Sequence, residues 1–171
     1  MAQLKLEIIQ EPAFFSVEEE AFLNLLRSAD CLQRAFHRKT RDWGLTSTQY
    51  NVLRILRGAH PNGLTCAAIG TRMIAAEPDI TRLLGRLKTQ GLIEQKRDEL
   101  DRRVVWTKIA ASGLDLLGRM DPVIERVPIE LLGHMSPQEL KEMIRLLEVA
   151  RGPEKDSGCP ETCPLAEEEK K

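Results

Sequence analysis

The 171-residue sequence predicts a mainly α-helical protein with one small β-hairpin. Its central unit, residues 45–110, contains three short segments with helix start and stop signals, followed by two strand-like segments. Longer amphipathic segments lie on either side of this unit. The chain is long enough to bury one core, so we expect a single domain built from these parts.

The N-terminal segment, residues 1–44, is predicted to contain an arm and a long helix. Ser16 and Glu19 have the spacing of a capping box, so the helix should begin there and continue to about residue 43. The run from Leu4 to Ile9 is apolar, and we expect it to lie as an extended arm on a second copy of the chain. The apolar residues of the long helix form a broad stripe: Phe22, Leu25, Leu26, Ala29, Leu32 and Phe36.

Two short helices are predicted at the start of the central unit. Thr46 and Gln49 form a second capping box, and the helix that they open should end at Gly58, before a turn rich in proline and glycine. Thr65 is a favourable N-cap for the next helix, which we expect to span residues 66–74. The small side chains of that helix would let a following helix pack closely across it.

The third helix is predicted to span residues 78–90. Pro78 suits the first helical position because its missing N–H needs no partner there, and Gly91 is the expected C-cap. One face of the helix is apolar: Ile80, Leu83, Leu84 and Leu87. The other face is polar, with two arginines one turn apart: Asp79, Thr81, Arg82, Arg86 and Lys88.

Two strands and a polar tip complete the central unit. Residues 92–97 and 103–109 are predicted to be strands, and the second is rich in β-branched and aromatic side chains. The tip between them is too long for a two-residue turn. We expect Asp101 and Arg103 to pair at this tip, which would hold the arginine extended. Four cations flank the tip: Lys96, Arg97, Arg102 and Arg103.

Residues 111–152 are predicted to form further helices. Pro122 and Pro128 should kink the first of them or divide it. Ser136, Pro137 and Glu139 provide an N-cap, a first-turn proline and a capping-box glutamate for the last helix. Because the central unit leaves these flanking helices little core to cover, we expect them to pair with a second copy in a two-fold dimer.

The charge of the chain is unevenly distributed. Residues 41–108 contain 12 Lys or Arg and 7 Asp or Glu, a balance of +5. The rest of the chain has 13 basic and 19 acidic residues, a balance of −6, which restores the total of −1. A local basic patch, rather than the total charge, is what favours contacts with phosphate groups.

The central unit therefore has the pattern of a winged helix-turn-helix, which places one helix in the major groove of DNA and a hairpin beside it. The cations at the hairpin tip suit the narrow, electronegative minor groove. From residue 45 to residue 113 the sequence resembles the MarR family of bacterial transcription regulators. The matching residues lie in the third helix, in the turn after it and at the hairpin tip: Leu83, Leu87, Gly91, Leu92, Ile93, Asp101, Arg102 and Arg103.

The resemblance implies a homodimer that binds pseudo-palindromic DNA and is often released by a small ligand or an oxidant. It implies that residues 78–90 form the recognition helix and that Arg103 reaches the minor groove. The sequence departs from the family at Ala110, where relatives usually have a threonine that caps the next helix. This departure should weaken the start of that helix without changing the DNA-binding face.

We expect two sets of binding residues. Major-groove, minor-groove and phosphate contacts to DNA are expected from Thr65, Asp79, Thr81, Arg82, Arg86, Lys88, Arg97, Asp101, Arg102 and Arg103. Members of the MarR family, which this sequence resembles, generally bind ligands where the dimer helices meet the DNA-binding lobe. An aromatic or phenolic effector would there contact His37, Arg41, Trp43 and Tyr50. The alternative is that Trp43 and Tyr50 only fill the core.

Two other functions remain open from the sequence. Residues 153–171 are predicted to be a disordered tail, and Cys159 and Cys163 within it suggest a redox- or metal-responsive regulator. Two such ligands are too few for a structural zinc site. Cys31 and Cys66 are expected to be reduced core residues. The remaining alternative is a winged-helix module that binds protein rather than DNA.

Other classes of protein are disfavoured. The three histidines lie in no catalytic motif, and a glycine-rich phosphate loop is absent from the sequence, so we expect neither an enzyme nor a cofactor. We find neither a signal peptide nor an apolar run that could span a bilayer, so the sequence predicts a cytoplasmic protein.

Overall fold

The computed structural model describes residues 3–9 and 13–152 of the chain. Within these residues, α-helices flank one two-stranded antiparallel sheet, so the predicted fold class is confirmed. The elements are α1 (Gln3–Glu7), α2 (Val17–Arg41), α3 (Ser47–Gly58), α4 (Cys66–Gly70), α5 (Ile80–Thr89), β1 (Ile93–Arg97), β2 (Val105–Ile109), α6 (Ala111–Ile124), α7 (Arg126–Leu132) and α8 (Pro137–Arg151).

The hydrophobic core lies where α3, α5, the sheet and α6 meet. Each of these elements contributes its apolar face, and a fully buried leucine stabilises the fold by about 1.5–3 kcal/mol relative to an exposed one. The buried core residues of these elements and of α4 are Tyr50, Val52, Leu53, Leu56, Ile69, Leu83, Leu84, Leu87, Ile93, Ile109, Leu117, Met120 and Ile124. α2 packs beside this core against α3, α6 and α7.

Two predicted capping boxes are confirmed. At the start of α3, Gln49 N–H donates to Thr46 Oγ1 (3.1 Å), and Thr46 N–H donates to Gln49 Oε1 (2.9 Å). At the start of α8, Glu139 N–H donates to Ser136 Oγ (3.3 Å), and Ser136 N–H donates to Glu139 Oε2 (2.7 Å). These reciprocal bonds satisfy backbone donors that a helix leaves without partners at its first turn.

The starts of α2 and α6 are capped less completely. Glu19 N–H donates to Ser16 Oγ at 3.1 Å, as predicted. The Glu19 carboxylate, however, accepts from Phe15 N–H (2.8 Å) rather than from Ser16, so this is a displaced form of the predicted box. α6 begins at Ala110 without a side-chain cap, as the departure from the family pattern suggested.

The predicted extended arm at residues 4–9 is wrong, because this segment begins as helix α1. Leu4 is buried, with 4% of its surface exposed. The Glu7 carboxylate pairs with Arg27 Nε of α2 at 3.6 Å. A helix satisfies its own backbone groups, so the segment can pack on α2 of the same chain without pairing with another strand.

The two prolines of the C-terminal region act differently. Pro122 lies within α6, whereas the helix is divided near Glu125, before Pro128 in α7. Pro128 has no N–H to donate to the carbonyl of Ile124, and its ring crowds that carbonyl. The chain therefore ends α6 at Ile124 and begins a new helix, which confirms the prediction that a proline would divide this region.

The prediction that Cys31 is a core residue is wrong. Its side chain is exposed on α2, because the stripe on that helix leaves it outside the packed surface of the single chain. Cys66 is half-buried at the start of α4. The predicted tail at residues 153–171, with Cys159 and Cys163, lies outside the described residues.

Candidate nucleic-acid interface

Helix α5 begins two residues later than predicted. Asp79 is its N-cap, and the carboxylate Oδ1 accepts from Arg82 N–H at 2.9 Å. Pro78 therefore precedes the cap, and the prediction that it occupies the first helical position is wrong. A side-chain acceptor for an unpartnered backbone donor is a stronger start signal than a proline, which only avoids leaving such a donor.

The two faces of α5 have opposite character. Leu83, Leu84 and Leu87 are buried as predicted, and Ile80 is half-buried. The chain reverses after the helix at Gly91, whose φ of +71° few other residues adopt, and Leu92 N–H donates to the Leu87 carbonyl at 3.0 Å. The remaining predicted contact residues are all exposed on the outer face: Thr81, Arg82, Arg86 and Lys88.

The outer face of α5 borders a shallow depression that sequence reasoning did not predict. Besides the two arginines it is lined by Gln49, Gly85, Thr89 and Gln90. Gln49 is buried, and its Nε2 donates to Gln90 Oε1 at 3.4 Å. This contact joins the first turn of α3 to the C-terminal end of α5. The capping-box pattern predicted that Gln49 caps α3, but nothing in the sequence indicated its contact with Gln90, 41 residues away.

The helix before α5 ends earlier than predicted. Thr65 caps α4 by accepting from Ala68 N–H at 3.2 Å, but the helix stops at Gly70, four residues before the expected end. Asn51 of α3 explains the difference, because its Oδ1 accepts from Ile74 N–H at 3.1 Å. A longer α4 would need the Ile74 N–H for a hydrogen bond within the helix, but this N–H is bonded to Asn51 instead.

The hairpin forms with the predicted pairing but a longer tip. β1 and β2 are antiparallel, with Ile93 opposite Ile109 and Arg97 opposite Val105. Residues 98–104 make the tip, so Arg103 lies in the turn rather than at the start of a strand. The prediction that the second strand begins at residue 103 is wrong. Asp98 and Asp101 accept hydrogen bonds from backbone N–H groups of the tip, and these groups are then not available to a partner strand.

Asp98 organises the first half of the tip. Its Oδ1 accepts from Leu100 N–H (2.9 Å) and Asp101 N–H (3.0 Å), and its Oδ2 accepts from Trp106 Nε1–H (2.9 Å). The backbone bond from Asp101 and the indole bond from Trp106 hold the pKa of Asp98 below its ordinary value. All three bonds favour the ionised carboxylate, so the tip is built around a negative charge.

The second half of the tip carries the expected cations. Asp101 Oδ1 accepts from the backbone N–H of Arg103 at 2.9 Å, so the aspartate fixes the main chain at the arginine. Arg102 and Arg103 are exposed in the tip, and Arg97 is exposed at the end of β1. These positions leave the predicted wing cations on the outer surface of the hairpin.

Comparison with known proteins identifies the family. Residues 43–104 match the family model described as "MarR family". A solved MarR transcription factor from Planctomyces limnophilus is 37% identical, covers 80% of this chain and 99% of its own, and superposes with a TM-score of 0.63. The chain belongs to the MarR family. It is therefore a DNA-binding transcriptional regulator, in a family of regulators rather than enzymes.

Other MarR-like proteins agree with this assignment. The transcriptional regulator HosA of Escherichia coli O157:H7 is 26% identical over 121 residues, which are 68% of this chain and 88% of HosA. BpsR of Bordetella bronchiseptica has a TM-score of 0.69 at 23% identity, over 77% of this chain and 98% of its own. The BpsR structure concerns regulation of its DNA binding by 6-hydroxynicotinic acid. At that identity, BpsR supports the fold alone for this chain.

The residues predicted to contact an effector in this MarR chain are only partly brought together. Tyr50 is buried and meets the ring of Phe36 edge-on, with centroids 5.6 Å apart. Trp43 is half-buried against the core, whereas His37 and Arg41 are exposed. His37 Nδ1 lies 3.4 Å from Ser47 Oγ. Burial raises the pKa of Tyr50 above its ordinary value.

An ion pair near this junction was not predicted. Arg57 of α3 donates from Nη1 to Asp121 Oδ2 of α6 at 2.7 Å, and both side chains are about one third exposed. The hydrogen bond that Arg57 donates to Asp121 raises the pKa of Arg57. A second pair, Lys39 to Glu130 at 3.4 Å, joins α2 to α7. These contacts join segments 64 or more residues apart in sequence, so no local motif indicates them.

The described residues show neither a membrane helix nor a metal cluster. Across residues 3–9 and 13–152, each helix is too short or too polar to cross a bilayer. In the same part of the chain, His, Cys, Asp and Glu side chains form no group of three that could hold a metal ion.

Proposed function

We propose that this MarR-family protein is a repressor that binds a pseudo-palindromic operator as a homodimer and is released by a small ligand. In this proposal residues 45–110 form the DNA-binding lobe, and residues 1–44 and 111–152 form the dimer. The observation that carries it is α5, because its inner face is buried while its outer face presents two exposed arginines one turn apart.

Helix α5 supports recognition in the major groove. Arg82 and Arg86 present guanidinium groups that can donate two parallel hydrogen bonds to guanine or to a phosphate. The Asp79 cap fixes the first turn of the helix, beside Thr81. We assign base contacts to this first turn and to the two arginines, and phosphate contacts to Lys88 of α5. At the start of α4, Thr65 is assigned a phosphate contact.

The hairpin supports contact with the minor groove. Arg102 and Arg103 lie exposed at its tip, and Arg97 lies exposed where β1 ends. Arginine is favoured in a narrow minor groove because the negative potential there is strongest. We assign minor-groove insertion to Arg103, with Asp101 holding its backbone, and phosphate contacts to Arg97 and Arg102.

The flanking helices support a homodimer. On α2, Phe22 and Leu26 are 59% and 51% exposed in the single chain. On α8, Ile144, Leu146 and Val149 are also exposed. Large apolar patches of this kind in a regulator indicate a protein interface. A two-fold axis through these helices would present two copies of α5 to two half-sites of one operator.

The proposed effector is a small aromatic or phenolic molecule. BpsR, whose DNA binding is regulated by the aromatic acid 6-hydroxynicotinic acid, supports this class of ligand. His37 and Arg41 could bind an acid group and Trp43 could stack on a ring, where α2 meets α3. Tyr50 is already packed against Phe36, so we assign it to the wall of such a site.

A gel-shift titration against the DNA upstream of the protein's own gene tests the proposal. We expect tight binding that outcompetes scrambled DNA and weakens steeply as salt increases, because phosphate contacts release counterions. Arg82→Ala and Arg86→Ala should abolish the preference for the operator. Arg119→Ala is the matched control, since it removes an exposed arginine of α6 outside the DNA-binding lobe.

Two further measurements test the homodimer and the release by a small ligand. Light scattering of the free protein should give the mass of a dimer, and a monomer that binds the operator would contradict the two-fold arrangement. Aromatic acids screened in the same gel-shift assay should release the DNA. Binding that is equally weak on every sequence, or unchanged in both arginine variants, would contradict recognition by α5.

A further inference from the structure

The tryptophan of the hairpin has a position that ordinary strand patterning does not explain. Trp106 lies in β2 opposite Lys96, on the face of the hairpin that points away from the core, and 37% of its surface is exposed. Its neighbours Val105 and Thr107 take the inward positions of the strand. A large aromatic residue on the outer face of a narrow hairpin therefore has a local partner or an external one.

Its local partner is the carboxylate that builds the tip. The indole Nε1–H of Trp106 donates to Asp98 Oδ2, while Oδ1 of the same carboxylate accepts from Leu100 and Asp101 N–H. Asp101 then accepts from the backbone N–H of Arg103. These bonds form a continuous series from the rigid strand β2 to the arginine that the proposed function places in the minor groove.

We propose that Trp106 and Asp98 are positioning residues for the wing, which orient Arg102 and Arg103 before DNA is bound. This inference rests on the proposed minor-groove contact of the wing. A flexible tip would lose conformational entropy when it becomes ordered on DNA, and that loss would weaken binding. A tip that is already ordered by Asp98 avoids most of that loss.

Because Asp98 is negatively charged, its removal should change DNA affinity in opposite directions by electrostatics and by positioning. Asp98→Asn removes a negative charge close to the proposed DNA contact, so by long-range electrostatics alone it should strengthen DNA binding. By positioning it should weaken binding, because asparagine has one amide oxygen and cannot accept both from the Trp106 indole and from the two backbone N–H groups on the other side. Glu94→Gln is the matched control, since it removes the same charge from an exposed position in β1 that makes no bond to the tip.

Operator affinity should therefore fall by about three- to tenfold in Asp98→Asn, a loss of the size expected for one typical hydrogen bond. Trp106→Phe keeps the aromatic ring but lacks the donor, and it should show a similar loss. The double variant Asp98→Asn/Trp106→Phe should be no weaker than the weaker single variant, because both changes break the same bond. Glu94→Gln should bind as well as the unchanged protein or better.

The arginines show whether the pair acts through them. In the double variant Arg102→Ala/Arg103→Ala, the additional change Asp98→Asn should not weaken binding further. If Asp98→Asn weakens binding equally in that background, or if it strengthens binding in the unchanged protein, the positioning role is wrong. A loss in Trp106→Phe without a loss in Asp98→Asn would also overturn it, since Trp106 would then contact DNA directly.

Nuclear magnetic resonance of the free protein gives a readout without DNA. The chain has two tryptophans, so it should show two indole N–H signals, and Trp106→Phe assigns the one from the hairpin. Asp98→Asn should shift that signal and broaden the backbone signals of the tip. An unchanged indole signal in Asp98→Asn would show that the bond does not order the tip, and this would overturn the proposal.

Failure of the proposed function gives a different pattern. If Arg102→Ala/Arg103→Ala binds the operator as tightly as the unchanged protein, the wing contact itself is absent and the positioning role falls with it. If that double variant binds weakly while Asp98→Asn and Trp106→Phe bind normally, the wing contact stands and only the positioning role is overturned. Thermal unfolding of each variant identifies any that lose affinity through loss of the fold.

Discussion

Helix α5 and the wing tip are held in place by different forces. α5 is placed by three buried leucines on its inner face, which are part of the main core. The wing tip is placed by hydrogen bonds that exposed carboxylates accept, and Leu100 at its end is fully exposed. One element is therefore positioned by burial of apolar surface, and the other by local polar contacts.

Because of this difference, substitutions in the two regions should affect the stability of the fold to different extents. Apolar burial is the dominant favourable contribution to folding, so α5 cannot move without disturbing the core. Exposed hydrogen bonds contribute little to global stability, but they restrict the conformations of a short turn. We expect substitutions behind α5 to change folding and DNA binding together, and substitutions in the wing to change DNA binding alone.

The largest effect is expected for Leu87→Ala. Leu87 has 0% of its surface exposed, and removing a buried leucine side chain costs about 2–5 kcal/mol of unfolding free energy. Urea denaturation followed by circular dichroism measures this loss. Leu100→Ala is the matched control, because the same change at a fully exposed residue should leave the unfolding free energy within about 0.5 kcal/mol. Equal losses in both variants would contradict the contrast between the regions.

Arg103→Ala should give the next largest effect, and on DNA binding only. We expect operator affinity to fall by about 1–3 kcal/mol, with the fold unchanged. Fluorescence anisotropy with labelled operator DNA measures the affinity, and thermal unfolding checks the fold. An unfolding temperature that falls together with the affinity would show that the wing is part of the cooperative core after all.

Ala110→Thr should stabilise the start of α6, directly after the wing. Ala110 stands at the N-cap of α6 with an extended backbone and no side-chain cap bond. A threonine hydroxyl there can accept from the first turn of α6, which should raise the unfolding free energy by about 1 kcal/mol. Ala110→Val adds similar volume without the hydroxyl and is the control for urea denaturation. Equal stability of the two variants would contradict capping as the cause.

The smallest effect is a pH dependence confined to the wing. Because the folded-state pKa of Asp98 lies below its ordinary value of 3.8, its ordering contribution is fully present above that value. It is lost as pH falls through the lower folded-state pKa. The hairpin indole N–H signal should report this transition, and Asp98→Asn should lack it. A midpoint at or above the ordinary value would mean that the carboxylate bonds are not formed in solution.

Most helices could be predicted from the sequence because their signals are local. Thr46 with Gln49 and Ser136 with Glu139 lie three residues apart, so the atoms that form each cap are neighbours in any helix that begins there. The buried face of α5 follows in the same way from its apolar spacing. Where two local signals competed, as at Pro78 and Asp79, the sequence alone did not decide which one begins the helix.

The candidate site was predicted less completely for a related reason. The exposed cations of α5 and the wing follow from the pattern of each element. The contacts that orient them do not, because Trp106 with Asp98, and Gln49 with Gln90, meet only once the hairpin and the helices have formed. Tyr50 was predicted either to contact an effector or to fill the core. It is buried against Phe36, and its contact with an effector stays a prediction.

By itself, the sequence determined the order of the helices, the hairpin, the apolar faces and the resemblance to a family of regulators. Each of these depends on residues within a few positions of one another. Only the tertiary structure decided that α4 ends early at the Asn51 bond, that Arg57 joins α3 to α6, and that Trp106 anchors the wing tip. These contacts depend on where packing places distant segments, since a hydrogen bond or ion pair forms only within a few ångströms.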